Sequence, residues 1–324
     1  MGGLAALIDS PAGIAVAALW LALLLDALFG EPPARWHPVV WMGHYLGWTG
    51  GRIAPQAQVR LGTDYRRLVA GSVAWCVGAG MVTGIAIALQ QAAEHLPGWA
   101  AIVLTGAALK PLLAWRMLRR EVLAVERALA ESLDAGREQL SYLVSRDVTR
   151  LDESLVRESA IESLAENLND SLVAPLFWFA VAGLPGAALY RFANTADAMW
   201  GYHGVRGGRV WEWAGKFAAR AHDVLSWIPA RISAGLLALA ALRWPSGLRA
   251  EARRTPSPNS GWPMAAMALL LGVRLGKPDF YVLHRDGRNS QPGDMRRALR
   301  LGGRAVVWCA LLASMAMVVP ELLQ

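Results

Sequence analysis

The chain has 324 residues, 55% hydrophobic and 18% charged, with a formal net charge of +7; this apolar share and a mean hydropathy of +0.31 exceed a soluble domain's and indicate an integral membrane protein. Its two cysteines, Cys76 and Cys309, sit inside apolar runs without neighbouring ligand residues, which excludes a disulfide framework and a zinc site. The basic residues are mostly arginine in loops between apolar runs, so anionic lipid and phosphorylated ligands suit them better than nucleic acid.

Residues 12–29 are the first run of spanning length, broken only by Asp26. No Lys or Arg precedes it and no small-residue cleavage site follows, so it reads as a retained anchor and not as a secretory signal. The prolines of D-A-L-F-G-E-P-P-A-R-W-H-P-V-V-W-M-G (26–43) stop the helix and present Asp26, Glu31, Arg35 and His37 at the membrane boundary. Runs 68–89 and 99–115 come next, the second bracketed by Trp99 and Trp115 with Lys110 placed to snorkel. From Arg116 to about Leu140 the pattern is that of an amphipathic helix in water.

Glu158, Glu162 and Glu166 then recur every four residues, followed by Asp170, and on a helix they share one face. Like charges at this spacing repel by about 0.2–0.5 kcal/mol per pair. A compensating cation is expected, either Arg from elsewhere in the chain or Mg²⁺ bridging to a phosphorylated ligand; a solvated charged face is the plainer alternative. The apolar run 172–190 is interrupted by Pro175, Gly183, Pro185 and Gly186, and Gly-Leu-Pro-Gly resembles the tip of a re-entrant helical hairpin. Such a hairpin returns Asn194, Thr195 and Asp197 to the side of the acidic stripe.

Residues 211–231 mix Trp, Arg and acid around Asp223 and Arg231. The runs 232–242 and 264–273 fall short of the about twenty residues a crossing needs, so they read as a partly inserted pair. They flank S-P-N-S-G-W-P (257–263), whose turn presents Asn259. Arg296, Arg300 and Arg304 share a face suited to lipid phosphates, ahead of the last run, 305–319. The 15 tryptophans read as interfacial anchors, with stacking of the 200–228 cluster on a macrocycle as the alternative.

Spans at 12–29, 68–89, 99–115 and 305–319 put 1–11, 94–98 and 320–324 outside, and these contain no Lys or Arg, as the positive-inside rule favours. The expected fold is all-α, a single polytopic helical membrane domain over 1–324. It has about four spanning helices, a cytoplasmic helical segment at 116–170, and re-entrant or short membrane helices at 171–200 and 226–276, with up to eight crossings as the alternative.

The chain has no P-loop, since G-V-R-L-G-K-P (272–278) has the wrong spacing and ends without the hydroxyl; no dinucleotide fingerprint, nucleophile elbow or H-E-x-x-H occurs. Carboxylates accompanied by Asn and Arg remain, among them Arg146, Asp147, Asn167, Asn194, Arg231 and Asn259. Acid with Asn suits Mg²⁺ bearing phosphate oxygens, and Arg suits phosphate or carboxylate. The residues alone therefore point to a cytoplasm-facing membrane site for an anionic, phosphorylated ligand.

Six motifs, in this order across about residues 12–276, give more: H-P-V-V-W-M-G, S-R-D-V-T-R-L, E-S-L-A-E-N-L-N-D-S-L-V-A-P-L-F-W, N-T-A-D-A-M-W-G-Y, D-V-L-S-W-I-P-A-R and S-P-N-S-G-W-P. Together they resemble the CobD/CbiB family of cobalamin biosynthesis. The resemblance implies a multi-pass adenosylcobinamide-phosphate synthase of the bacterial inner membrane, its active site facing the cytoplasm. Such an enzyme joins adenosylcobyric acid to (R)-1-amino-2-propanol O-phosphate, or ethanolamine phosphate, through an amide bond, with ATP as co-substrate and Mg²⁺. On this resemblance Glu162, Glu166, Asn167, Asp170 and Asp197 are expected to hold Mg²⁺ against the triphosphate. Arg146 and Arg231 would neutralise phosphate charge as an acyl phosphate forms, and Asp223 or His37 would take the proton of the incoming ammonium. Asp26, Glu31, Asp147, Glu158, Asn194 and Asn259 are expected to contact substrate or its phosphate. Where the family pattern has an Asp-Asp pair this chain has His222-Asp223, its N-T-A-D-A replaces N-T-L-D-S, and the tail beyond Gly276 lacks a Gly-rich ending. The partners implied are the corrinoid, the aminoalcohol phosphate and the bilayer, with a homo-oligomer or a complex with other cobalamin-pathway enzymes compatible. The rival is a non-catalytic membrane protein, either a corrinoid-binding transport component or an AmpE-like signalling relative.

Overall fold

A computed structural model describes residues 10–57, 62–277 and 280–323. Residues 1–9, most of the first segment expected outside the membrane, and residue 324, at the end of the last, lie outside the described residues. In chain order the elements are α1 (Pro11–Phe29), α2 (Pro38–Ile53), α3 (Tyr65–Glu94), α4 (Gly98–Leu109), α5 (Trp115–Glu131), α6 (Leu133–Ser141), α7 (Glu153–Leu168), α8 (Ala174–Trp200), β1 (Val205–Arg206), β2 (Arg209–Val210), α9 (Lys216–Ala240), α10 (Leu248–Ala252), α11 (Gly261–Leu271), β3 (Leu275–Lys277), β4 (Tyr281–Leu283) and α12 (Asp294–Leu322).

The all-α polytopic class is the observed one. Among the described residues, six stretches are long and apolar enough to cross a membrane: Pro11–Phe29, Tyr65–Glu94, Gly98–Glu131, Glu153–Trp200, Lys216–Ala240 and Asp294–Leu322. Four contain or overlap the runs read from the sequence; the other two raise the count. Glu153–Trp200 contains the run 172–190, read from the sequence as a re-entrant hairpin because Pro175, Gly183, Pro185 and Gly186 interrupt it. Lys216–Ala240 escapes because its helix begins well before Ile232 and continues through Pro229, so an apolar count from Ile232 sees only its end. The last short run, now α11, has 11 residues and stays below crossing length.

Contacts group the chain into two compact units, one of Met1–Leu113, Pro175–Ser226 and Ala313–Gln324, the other of Ala114–Ala174 and Trp227–Leu312. In the first unit, Ser10 caps α1 by accepting from the Gly13 amide at 3.0 Å, ahead of proline at the first turn. Helix α1 packs on α4, with Gly106 against the backbone of Ala18. Along α3, Val69, Val73, Val77, Met81 and Ile85 are all exposed, one every fourth residue. Such a stripe is unfavourable in water and suits lipid tails. Cys76 is exposed on the same helix.

Helix α8 is broken at Ala182 (φ −138°, ψ 21°) and Gly183 (φ 63°, ψ −157°). Positive φ is admissible at Gly183 because it has no Cβ. The break is a sharp turn: a Cβ on Gly186 would meet the Trp178 carbonyl, a pair about 12 Å apart in a straight helix. Gln90 Oε1 accepts from the Leu184 amide at 3.0 Å and so satisfies part of the broken ladder. Trp200 and Trp211 are buried and stacked at 6.4 Å, which corrects their reading as interfacial anchors; Trp36, Trp41, Trp48 and Trp99 are exposed.

In the second unit, α5 buries Leu118, Val122, Val125 and Leu129 as one stripe, and Ser132 starts α6 by accepting from the Ala135 amide at 3.1 Å. Helix α7 begins at the Asp152 cap, and every residue from Val156 to Ala165 is buried. A π-helical turn, Asn169–Val173, follows it; such turns re-aim side chains and recur at functional sites. Strands β3 and β4 pair antiparallel with Lys277 opposite Tyr281. Arg296, Arg300 and Arg304 are all exposed on α12.

Candidate functional site

The acidic stripe on α7 is not a solvated face. Glu158 and Glu162 are buried, and their compensating cations are arginines. Glu162 Oε2 accepts from Arg146 Nη2 at 3.0 Å, and Oε1 accepts from the Tyr281 hydroxyl. Glu158 Oε1 lies 3.8 Å from Arg274 and accepts from Ser154 at 3.2 Å. Glu166, one turn beyond Glu162, is exposed. Asn167 donates to the Ser163 carbonyl at 2.9 Å and to its hydroxyl at 3.2 Å.

These groups line a cleft of about 310 Å³ formed by α7, residues 143–146, the loop before α11 and the β3–β4 hairpin. Arg146, Glu162, Glu166, Asn167, Ser257, Lys277 and Tyr281 supply its polar wall. Burial first, then the charge of Glu162, pushes the Tyr281 pKa well above that of an ordinary phenol, so the hydroxyl stays a donor. Lys277 Nζ sits 4.7 Å from the Phe280 ring centre. Sequence reading missed Lys277 and Tyr281. The signal was there in the sequence L-G-K-P-D-F-Y-V-L, where Pro-Asp, a pair favoured in turns, precedes the aromatic and β-branched F-Y-V-L.

Elsewhere in this unit, Asp147 is exposed and accepts from the Thr149 amide and hydroxyl at 2.9 and 2.7 Å. Those bonds, with Arg150 nearby, hold its carboxyl below the ordinary range. Arg231 lies between the rings of Trp227 and Trp262, 4.2 and 4.9 Å from their centres, and donates to Asn259 Oδ1 at 3.0 Å. Asn259 is therefore buried and holds Arg231, which corrects its reading as a residue displayed by a turn. Asp170, in the π-helical turn, accepts from Asn169 at 2.8 Å, and Asn169 accepts from Ser233 at 2.9 Å.

The first unit holds two polar clusters. Lys110, expected to snorkel, is buried instead, 3.1 Å from Glu31 Oε2 and 3.7 Å from Asp26 Oδ1. His37 Nε2 is 2.9 Å from the same Glu31 oxygen, while its Nδ1 accepts from the Val39 amide at 3.2 Å. This pattern assigns the proton to Nε2. Burial alone would raise the Glu31 pKa, but the bonds and charges of His37 and Lys110 outweigh it and hold the carboxyl below its ordinary range.

In the second cluster His222 Nδ1 is 3.0 Å from Asp197 Oδ2. Its Nε2 lies 3.0 Å from Ser226 Oγ, 3.3 Å from the Tyr190 hydroxyl and 3.4 Å from Asn194 Nδ2. The N-T-A-D-A and H-D motifs thus meet through His222, Tyr190 and Ser226, none of which the sequence reading placed in a site. Asp223 is 3.4 Å from Arg220. Asp26, Glu31, His37, Asn194, Asp197 and Asp223 belong to the first unit. Arg146, Asp147, Glu158, Glu162, Glu166, Asn167, Asp170, Arg231 and Asn259 belong to the second.

Among the described residues no group of three or more His, Cys, Asp or Glu forms a metal cage. Glu166 beside Asn167 fits a different arrangement, a Mg²⁺ that arrives on phosphate oxygens, keeps its waters and takes one or two protein ligands.

The family described as CobD/Cbib protein matches residues 19–302, further into the tail than the six motifs reach. The probable cobalamin biosynthesis protein CobD of Methanothermobacter thermautotrophicus is 39% identical over 284 residues, covering 83% of this chain and 86% of its own. The cobalamin biosynthesis protein CobD of Brucella suis is 39% identical over 283 residues, covering 81% and 82%. That of Rhodobacter capsulatus is 36% identical over 321 residues, covering 92% and 96%. No solved structure matches the chain. On the length and depth of these matches, the chain belongs to the CobD/CbiB family.

Proposed function

We propose that this protein is a multi-pass enzyme of cobalamin biosynthesis, an acid–amine ligase that makes adenosylcobinamide phosphate. It joins the free carboxylate of adenosylcobyric acid to (R)-1-amino-2-propanol O-phosphate or ethanolamine phosphate, at the cytoplasmic face of the inner membrane. The observation that carries the reading is the α7 cleft, where the family motif E-S-L-A-E-N-L brings acid and amide together with Arg146, a set of groups suited to phosphorylated ligands.

Amide formation from a carboxylate needs its oxygen converted into a leaving group. The carboxylate oxygen attacks the terminal phosphorus of ATP, ADP leaves, and an acyl phosphate results. The amine nitrogen then attacks the acyl carbon, inorganic phosphate departs, and a base takes the proton the nitrogen loses. Arg146, paired with Glu162 in the cleft, is assigned the charge of a phosphate bound there. Bound Mg²⁺, which we assign to Glu166 and Asn167 of the second unit, would neutralise phosphate oxygens. Asp197 now pairs with His222, so His222 is a third candidate base beside Asp223 and His37. The test is incubation of the detergent-purified chain with adenosylcobyric acid, the aminoalcohol phosphate, ATP and Mg²⁺. The amide mass should appear only with all four, and no amide under any of these conditions would overturn the proposal.

A further inference from the structure

The α7 cleft has an uneven charge distribution. Its carboxylates are Glu162, which is buried, and Glu166, which is exposed, whereas Arg146 and Lys277 are half-buried. The charge of Arg146 is balanced by Glu162, and only some of its five N–H donors are engaged, by Glu162 at 3.0 Å and by the Gly276 carbonyl at 3.5 Å. Lys277 has no carboxylate at ion-pair distance among the described residues, and Ser257 adds a hydroxyl to the same wall. Lys277 thus brings an ammonium beside hydroxyl and guanidinium donors, an arrangement suited to a phosphate group. Size narrows the choice. A volume of about 310 Å³ lies at the small end of ligand pockets, which suits a small phosphomonoester better than a whole nucleoside triphosphate or corrinoid.

We infer that Lys277, with Arg146 and Ser257, grips the phosphate of the aminoalcohol substrate and makes this cleft the amine-substrate pocket. The inference rests on the ligase reading above and adds to it a location and a specificity-determining residue outside the recognisable motifs. Tyr281 serves as a positioning residue: through Glu162 it holds Arg146 in place, and its register opposite Lys277 fixes the hairpin that carries the lysine.

The probe is ethanolamine phosphate, titrated calorimetrically into full-length protein in detergent, beside ethanolamine, inorganic phosphate and ATP. Wild type should bind ethanolamine phosphate and not ethanolamine. Lys277→Gln should weaken ethanolamine phosphate about tenfold or more while ATP affinity stays within twofold, and Lys277→Arg should recover most of the loss. In turnover, Lys277→Gln should raise the KM for the aminoalcohol phosphate far more than it lowers kcat. Unchanged ethanolamine phosphate affinity in Lys277→Gln, or a parallel loss of ATP affinity, overturns the assignment. If wild type forms the amide yet Lys277→Gln leaves that KM unmoved, the cleft assignment fails and the ligase reading stands. If Lys277-dependent binding is seen with no amide formed, the pocket stands and the ligase reading fails.

Discussion

Lys110→Met tests the buried charge cluster of the first unit. The ammonium lies 3.1 Å from Glu31 and 3.7 Å from Asp26, and Asp26 is 1% exposed. Removing one member of a buried ion pair costs about 3–5 kcal/mol, because the remaining charge stays desolvated. His37 still donates to Glu31, which favours the lower end, about 3 kcal/mol. For a chain of this size that corresponds to a melting temperature lower by about 4 °C, measurable by intrinsic fluorescence in detergent at pH 7. The pH dependence has a fixed sign. The folded pKa of Glu31 lies below its ordinary value, so its pairing stabilises fully above the ordinary carboxylate range and is lost as pH falls through the folded value. The gap between wild type and variant should be full at pH 7 and narrow below about pH 4. Asp26→Asn combined with Lys110→Met should recover part of the loss. A gap under 1 °C at pH 7, or one that stays constant down to acid pH, would refute this reasoning.

Three further substitutions probe the polar clusters. Glu166→Gln should raise the Mg²⁺ concentration for half-activation about tenfold or more, and unchanged turnover with unchanged Mg²⁺ dependence would remove Glu166 from the metal's surroundings. Tyr281→Phe deletes the hydroxyl that donates to Glu162 and should cost about 1.5–3 kcal/mol of stability by denaturant titration. Because the Tyr281 pKa is raised, its activity deficit should stay constant from about pH 7 to about pH 10; a deficit that vanishes at alkaline pH would contradict the donor role. His222→Asp puts a carboxylate against Asp197, 3.0 Å from the present imidazole nitrogen, and should cost about 3 kcal/mol. Adding Asp197→Asn should relieve it, and a melting temperature equal to wild type would show that the pair contributes nothing.

Much of the fold is legible in runs of apolar residues, since a helix such as α3 declares itself by length and composition alone. Helix α8 is harder to see because Pro175, Gly183 and Pro185 read as breaks, and α9 because its apolar run from Ile232 is short, although the helix begins at Lys216 and runs through Pro229. Local motifs identify the family and the polar residues, but not which charges meet. Lys110 finds Asp26 and Glu31, and Arg146 finds Glu162, only through tertiary packing. Snorkelling was the reasonable expectation for a lysine near a run end, and burial between two acids overrides it. Lys277 and Tyr281 stayed hidden because a short two-stranded hairpin carries little periodicity.

The central claim is that ATP activates the corrinoid carboxylate for attack by the amine, and isotope transfer tests it most directly. With both carboxylate oxygens of adenosylcobyric acid labelled as ¹⁸O, the purified enzyme should release phosphate carrying one labelled oxygen for each amide formed. Amide formed without label in the phosphate, or without consumption of ATP, would contradict the account.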